Sequence, residues 1–114
     1  YKGMMYSDVP NLAVVSGYTN ASWTLKADLV CEYVCRLLNH MQKAGLRQCT
    51  PRLDDPAMER LPWVDFSSGY IKRAIDTFPK QGARRPWRPH QNYALDLMSL
   101  RHGSVRDRAM VFSK

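Results

Sequence analysis

The chain has 114 residues, 45% of them apolar and 24% charged, a size that holds one small domain or a piece of a larger one and a composition too apolar for disorder to be the default. The net charge of +7 lies wholly in the C-terminal part: residues 1–70 carry seven basic and seven acidic side chains, residues 71–114 ten and three. The longest apolar run is Leu12-Ala13-Val14-Val15, far short of the roughly 18 residues that cross a bilayer, and no basic stretch followed by an apolar core marks a secretory signal.

Taken in chain order, the first element is Leu12–Ser16. Its apolar residues do not alternate with polar ones, the pattern of a strand covered on both faces, as in a parallel sheet. A short polar loop, Gly17 to Ser22, leads into the longest predicted helix, roughly Trp23 to Ala44. Leu25, Leu29, Tyr33, Leu37 and Met41 recur at helical spacing, Val30, Val34 and Leu38 widen the stripe, and Glu32 and Arg36 stand four apart on the wetter face. Lys43 in the last turn and Gly45 just past it suit a helix end. From Gln48 to Pro62 the prolines and the Asp54-Asp55-Pro56 run predict an extended connector rather than a packed element. A shorter helix is predicted from Ser67 or Ser68 to about Thr77, then a basic loop from Lys80 to Pro89. A further helix follows from about His90 to Arg101, with Tyr93, Leu97 and Leu100 inward and Gly103 ending it. Ala109 to Phe112 add a short strand.

A buried strand needs partners on both edges, because its N–H and C=O groups must be paired once water is excluded. This sequence offers Leu12–Ser16 little, so the rest of its sheet is expected in polypeptide outside the chain. The three cysteines, Cys31, Cys35 and Cys49, read as reduced thiols in a cytoplasmic protein. The histidines His40, His90 and His102 have no ligand-like spacing with them, and no metal site is expected.

Strand, polar loop and helix form the local unit in which α/β proteins place ligands, and a helix N-terminus offers free N–H groups and partial positive charge. That corner comprises Gly17, Tyr18, Thr19, Asn20, Ala21, Ser22 and Trp23. Gly17 permits close backbone approach, Thr19, Asn20 and Ser22 donate hydrogen bonds or cap, and Tyr18 or Trp23 can wall a flat ligand. The plainer alternative is that Asn20 or Ser22 only caps the helix and Trp23 packs in the core. No glycine fingerprint, phosphate loop, C-x-x-C, H-E-x-x-H or G-x-S-x-G occurs, so no catalytic residue is assigned. Arg84, Arg85 and Arg88 around Trp87 suit phosphates or stacked bases, or lie over the protein's own surface.

Gly3-Met4-Met5, Val9–Ala13, Gly17–Leu29 and Glu32–Leu38, with Phe66–Tyr70, Pro79–Gly82, Pro86-Trp87-Arg88 and Gln91-Asn92-Tyr93, resemble the C-terminal part of Baeyer–Villiger-type flavin monooxygenases. Within these they resemble most the branch that includes the mycobacterial thioamide-prodrug-activating monooxygenase. The resemblance implies an FAD enzyme that uses NADPH and dioxygen to insert oxygen beside a ketone carbonyl or onto sulfur. It implies a mostly helical α/β fragment: residues 1–47 as the last strand, loop and helix of a Rossmann-like FAD-binding domain, and 48–114 as a proline-rich connector and basic helical extension. By the same resemblance Gly17–Trp23 faces the flavin, while the glycine fingerprints and a catalytic arginine lie upstream, so the chain alone is expected to be inactive. Its expected partners are the rest of the monooxygenase, a small ketone or thio substrate, and a second copy through an exposed strand edge. A standalone basic module binding nucleic acid or a protein is the alternative.

Overall fold

A computed structural model describes residues 1–18, 21–62 and 73–114. Helix α1 runs Trp23–Ala44, as its periodicity dictates. The Ser22 hydroxyl accepts the Thr24 N–H at its start, and Gly45 closes it in the left-handed conformation (φ 67°) that a residue lacking Cβ adopts without cost. Its buried stripe is Lys26, Leu29, Val30, Tyr33, Leu37 and Met41. Leu25 and Leu38, read from spacing as part of that stripe, are instead exposed.

Strand β1 (Gln48–Pro51) pairs antiparallel with β4 (Met110–Ser113), in the register Cys49↔Phe112 and Pro51↔Met110. The strand expected near the C-terminus is therefore present, and its partner is the start of the segment read as a connector. Proline is tolerated there because it ends the strand, and Cys49, Thr50 and Pro51 are buried. The other edge of β1 is covered by the N-terminal segment. The Asn11 N–H donates to the Cys49 carbonyl at 2.9 Å, the Cys49 N–H donates to Asn11 Oδ1 at 2.9 Å, and the Asp8 N–H donates to the Pro51 carbonyl at 2.8 Å. A second ribbon joins β2 (Arg60–Pro62) to β3 (Lys80–Gly82), so the basic loop opens as a strand.

Helix α2 begins as an α-turn at Tyr93–Asp96, capped by the Asn92 side chain on the Leu95 N–H, and continues as a π-helix over Leu97–His102 that ends at Gly103. Leu100 is fully buried, and Tyr93 and Leu97 pack partly buried against the core. Most of the helix predicted from Ser67 lies outside the described residues; within them, Ile75–Thr77 form one 3-10 turn.

Leu12–Ser16 joins no strand among the described residues: Leu12 and Val15 are exposed, and the Val14 N–H donates to the Met4 carbonyl at 2.7 Å. With no neighbouring strand among the described residues, an apolar extended run has no ladder to join. Among the described residues the chain is also less helical than expected, because segments read as connector and loop supply three of the four short strands found there. The core gathers α1, α2, β1, β4 and the N-terminal residues Tyr1, Met4 and Met5.

Candidate functional site

The Gly17–Trp23 corner is built by two buried side chains. Tyr18 is 4% exposed and its hydroxyl donates to Asp96 Oδ2 at 2.5 Å. One turn into α1, Lys26 donates to the same oxygen at 2.8 Å, and its ammonium stands 5.5 Å from the Tyr18 ring centre. Asp96 on α2 therefore holds both ends of the corner. Burial and the Asp96 hydrogen bond push the Tyr18 phenol well above its ordinary pKa, so it remains a protonated donor.

The other predicted residues fall around this anchor. Trp23 is 58% exposed, against the plainer alternative in which it packs in the core. Gly17 lies directly beneath its indole, where any Cβ would overlap the ring. Ala21 and Ser22 are exposed; Thr19 and Asn20 lie outside the described residues. No acidic side chain occupies the first turn of α1, so its N-terminal partial charge is not neutralised from within the helix.

The anchoring pair was not among the predicted site residues. Its signal was present: Lys26 stands three and four positions before Leu29 and Val30 on the apolar stripe, and Asp96 sits between Tyr93 and Leu100 on the inward face of α2. Two opposite charges, each on an apolar stripe, are the mark of a buried pair. The expected Glu32–Arg36 pairing is replaced by longer-range contacts. Arg101 grips Glu32 with two bonds of 2.5 and 2.9 Å, holding its carboxyl below the usual range. Arg36 instead donates to the Leu100 and Gly103 carbonyls, closing the end of α2.

Cys31 and Cys35 are exposed and Cys49 is buried, all as free thiols. Among the described residues no group of three or more metal-ligating side chains comes together, and no helix is long and apolar enough to cross a membrane.

Behind Asp96, His90 presents a buried Nδ1 with no hydrogen-bond partner among the described residues. Burial and then the Arg85 charge hold its pKa below the ordinary value. Unfolded, it would take up a proton as the pH falls through about 6.5. In the fold that uptake is deferred, so the unfolded chain binds more protons below that pH and stability rises with pH across the window. The urea midpoint is expected to fall from about pH 7.5 to about pH 5.5, and to fall less in His90→Asn. Identical falls in the two proteins would remove His90 from the account.

The whole chain aligns at 50% identity with the FAD-containing monooxygenase EthA of Mycolicibacterium smegmatis. The chain is similar to the C-terminal region of FAD-containing monooxygenases. The Mycobacterium tuberculosis EthA aligns with all of it at 49%, and the Acinetobacter baylyi protein AlmA, named for FAD binding and monooxygenase activity, at 44%. In each case the chain spans 23% of the relative's length. No family model and no solved structure matches it. Similarity to FAD-containing monooxygenases along the full chain gives no support to a standalone basic module.

Proposed function

We propose that this chain is the flavin-facing C-terminal part of a Baeyer–Villiger-type monooxygenase that uses FAD, NADPH and dioxygen to oxygenate ketones or sulfur compounds. The observation that carries this reading is the 50% identity with EthA across all 114 residues. In it, Leu12–Ser16 is the last strand of a Rossmann-like FAD-binding domain, with neighbours from the rest of the polypeptide covering Leu12 and Val15. Residues 1–47 belong to that domain, and 48–114 form an extension packed against it. The setting is cytoplasmic. Separated from the rest, the uncovered segment and apolar side chains favour pairing with a second copy.

The corner suits a flavin edge in three respects. Gly17 lets the Trp23 indole lie directly on the turn, Trp23 offers an exposed flat ring, and α1 opens with no acid in its first turn. Bound FAD supplies the redox chemistry and the protein supplies position and electrostatics. Here the N–H groups at the start of α1 favour the negative charge of a reduced flavin. Tyr18, Lys26 and Asp96 fix that turn to α2, and Trp23 shields it from water. No residue of the chain is assigned a bond-making role, so oxygenase activity is expected only in the whole enzyme.

The test uses the full-length protein. It is expected to purify with FAD and to oxidise NADPH when given a ketone or a thioether. Gly17→Val forces the turn and Trp23 apart and is expected to weaken flavin retention about tenfold, equivalent to about 1.4 kcal/mol. A full-length protein that takes up no flavin, or a Gly17→Val variant that retains it as well as the parent, would refute the assignment.

A further inference from the structure

The segment Ala83–Gln91 borders a cleft of about 540 Å³, within the range of small-molecule sites. Its charged lining is cationic: Arg84, Arg85 and Arg88, with His90 beside them and no carboxylate among the described residues. Arg84 is already bound to Asp55. Arg85 is fixed by the backbone of the same loop, donating through Nη1 to the Arg88 carbonyl at 2.9 Å, which leaves the rest of its guanidinium available. Arg88 has no ion pair among the described residues.

The loop carrying these groups is rigidly held. Trp87 is 8% exposed and meets the Tyr1 ring edge-on at 5.7 Å between centres. The Lys2 N–H donates to the Pro86 carbonyl at 2.8 Å, the Gly82 N–H donates to the Trp87 carbonyl at 3.1 Å, and both the Trp87 and Arg88 N–H groups donate to the Arg84 carbonyl at 3.0 Å. Like charges gathered on a fixed loop repel one another, and a bound anion relieves that repulsion. A preorganised arginine fork matches phosphate oxygens two at a time. On the far side of Arg85 and His90 a smaller cavity of about 80 Å³ reaches Lys2, Ser99 and Asp96, whose carboxylate is already bound by Lys26 and Tyr18.

We propose that the Arg85–Arg88–His90 cleft binds a phosphate-bearing anion of diphosphate size, with Arg85 and Arg88 as its principal contacts. The proposal stands apart from the flavin reading, since it concerns the Ala83–Gln91 loop and not the Gly17–Trp23 corner. It is tested by calorimetric titration of the flavin-loaded full-length protein with inorganic pyrophosphate and, separately, with adenosine diphosphate. Saturable binding that weakens about tenfold in Arg85→Ala and in Arg88→Ala, but not in the exposed control Arg106→Ala, is the expected result. Arg88→Lys keeps the charge without the fork, serves if an alanine variant fails to fold, and is expected to weaken binding as well. Equal affinity for the two ligands identifies the diphosphate alone as the recognised unit, and tighter binding of adenosine diphosphate identifies a nucleotide. No saturable binding, equal weakening in Arg106→Ala, or unchanged binding in both Arg85→Ala and Arg88→Ala overturns it. Flavin absorbance retained in the variants separates failure of this site from failure of the flavin assignment.

Discussion

Asp96→Ala is expected to destabilise the chain by about 3–5 kcal/mol, because it leaves the Lys26 ammonium buried without its counter-charge. Lys26 and Asp96 side chains are 4% and 3% exposed, so water cannot substitute for the missing carboxylate, and the Tyr18 hydroxyl loses its acceptor at the same time. Removing a single member of such a pair is far more damaging than removing both, since the remaining charge keeps its full desolvation cost. The double variant Lys26→Met, Asp96→Leu is therefore expected to recover most of the loss. Tyr18→Phe leaves the ion pair intact and is expected to cost about 1–3 kcal/mol. Urea unfolding of the four proteins measures these differences. An Asp96→Ala variant within about 1 kcal/mol of the parent would mean that the pair is open to solvent, and the corner would then lack its anchor.

How much of this was legible in the sequence depends on whether the determinant was local. α1 was legible to within a residue at each end because its cap, its apolar period and its terminal glycine agree with one another. β4 was legible as a β-branched and aromatic run, but β1 was not. Gln48-Cys49-Thr50-Pro51 has no period and ends in proline, and its strand character comes from β4, about sixty residues later, and from Asn11, about forty earlier. Leu12–Ser16 shows the reverse case. Its local pattern is that of a buried strand, yet a strand is a relation between segments, and no partner for it lies among the described residues. The candidate corner at Gly17–Trp23 was read from its composition, whereas the Asp96 carboxylate that binds Tyr18 and Lys26 comes from the other helix, seventy positions beyond Lys26. The inference it missed was available from placement: a charge on an apolar stripe implies a partner on the facing one. Glu32 and Arg36 were paired from i, i+4 spacing worth only about 0.2–0.5 kcal/mol, too little to compete with the two-bond grip of Arg101 and the carbonyls that end α2.

Leu29→Ala carries the other large expected effect, a loss of about 2–5 kcal/mol with a fall in thermal midpoint of roughly 10 °C or more. Leu29 is wholly excluded from solvent, as are its core companions Tyr33, Met4 and Leu100, so the space vacated by the side chain is walled by elements far apart in sequence. Collapse around it would require α1 to move against both α2 and the N-terminal segment. Those elements are tied by the Lys26–Asp96 pair and by the Arg36 bonds to the end of α2, which resist that movement, so the expected cost lies toward the upper part of the range. Leu38 provides the internal comparison: spacing alone assigned it to the same stripe, yet it is 57% exposed. Leu38→Ala is expected to change stability by no more than about 0.5 kcal/mol. Thermal unfolding of the two variants beside the parent tests the orientation of α1 directly. Equal losses would show the helix rotated from the position in which Lys26 meets Asp96, and would also detach Tyr18 and the turn that precedes Trp23 from their anchor.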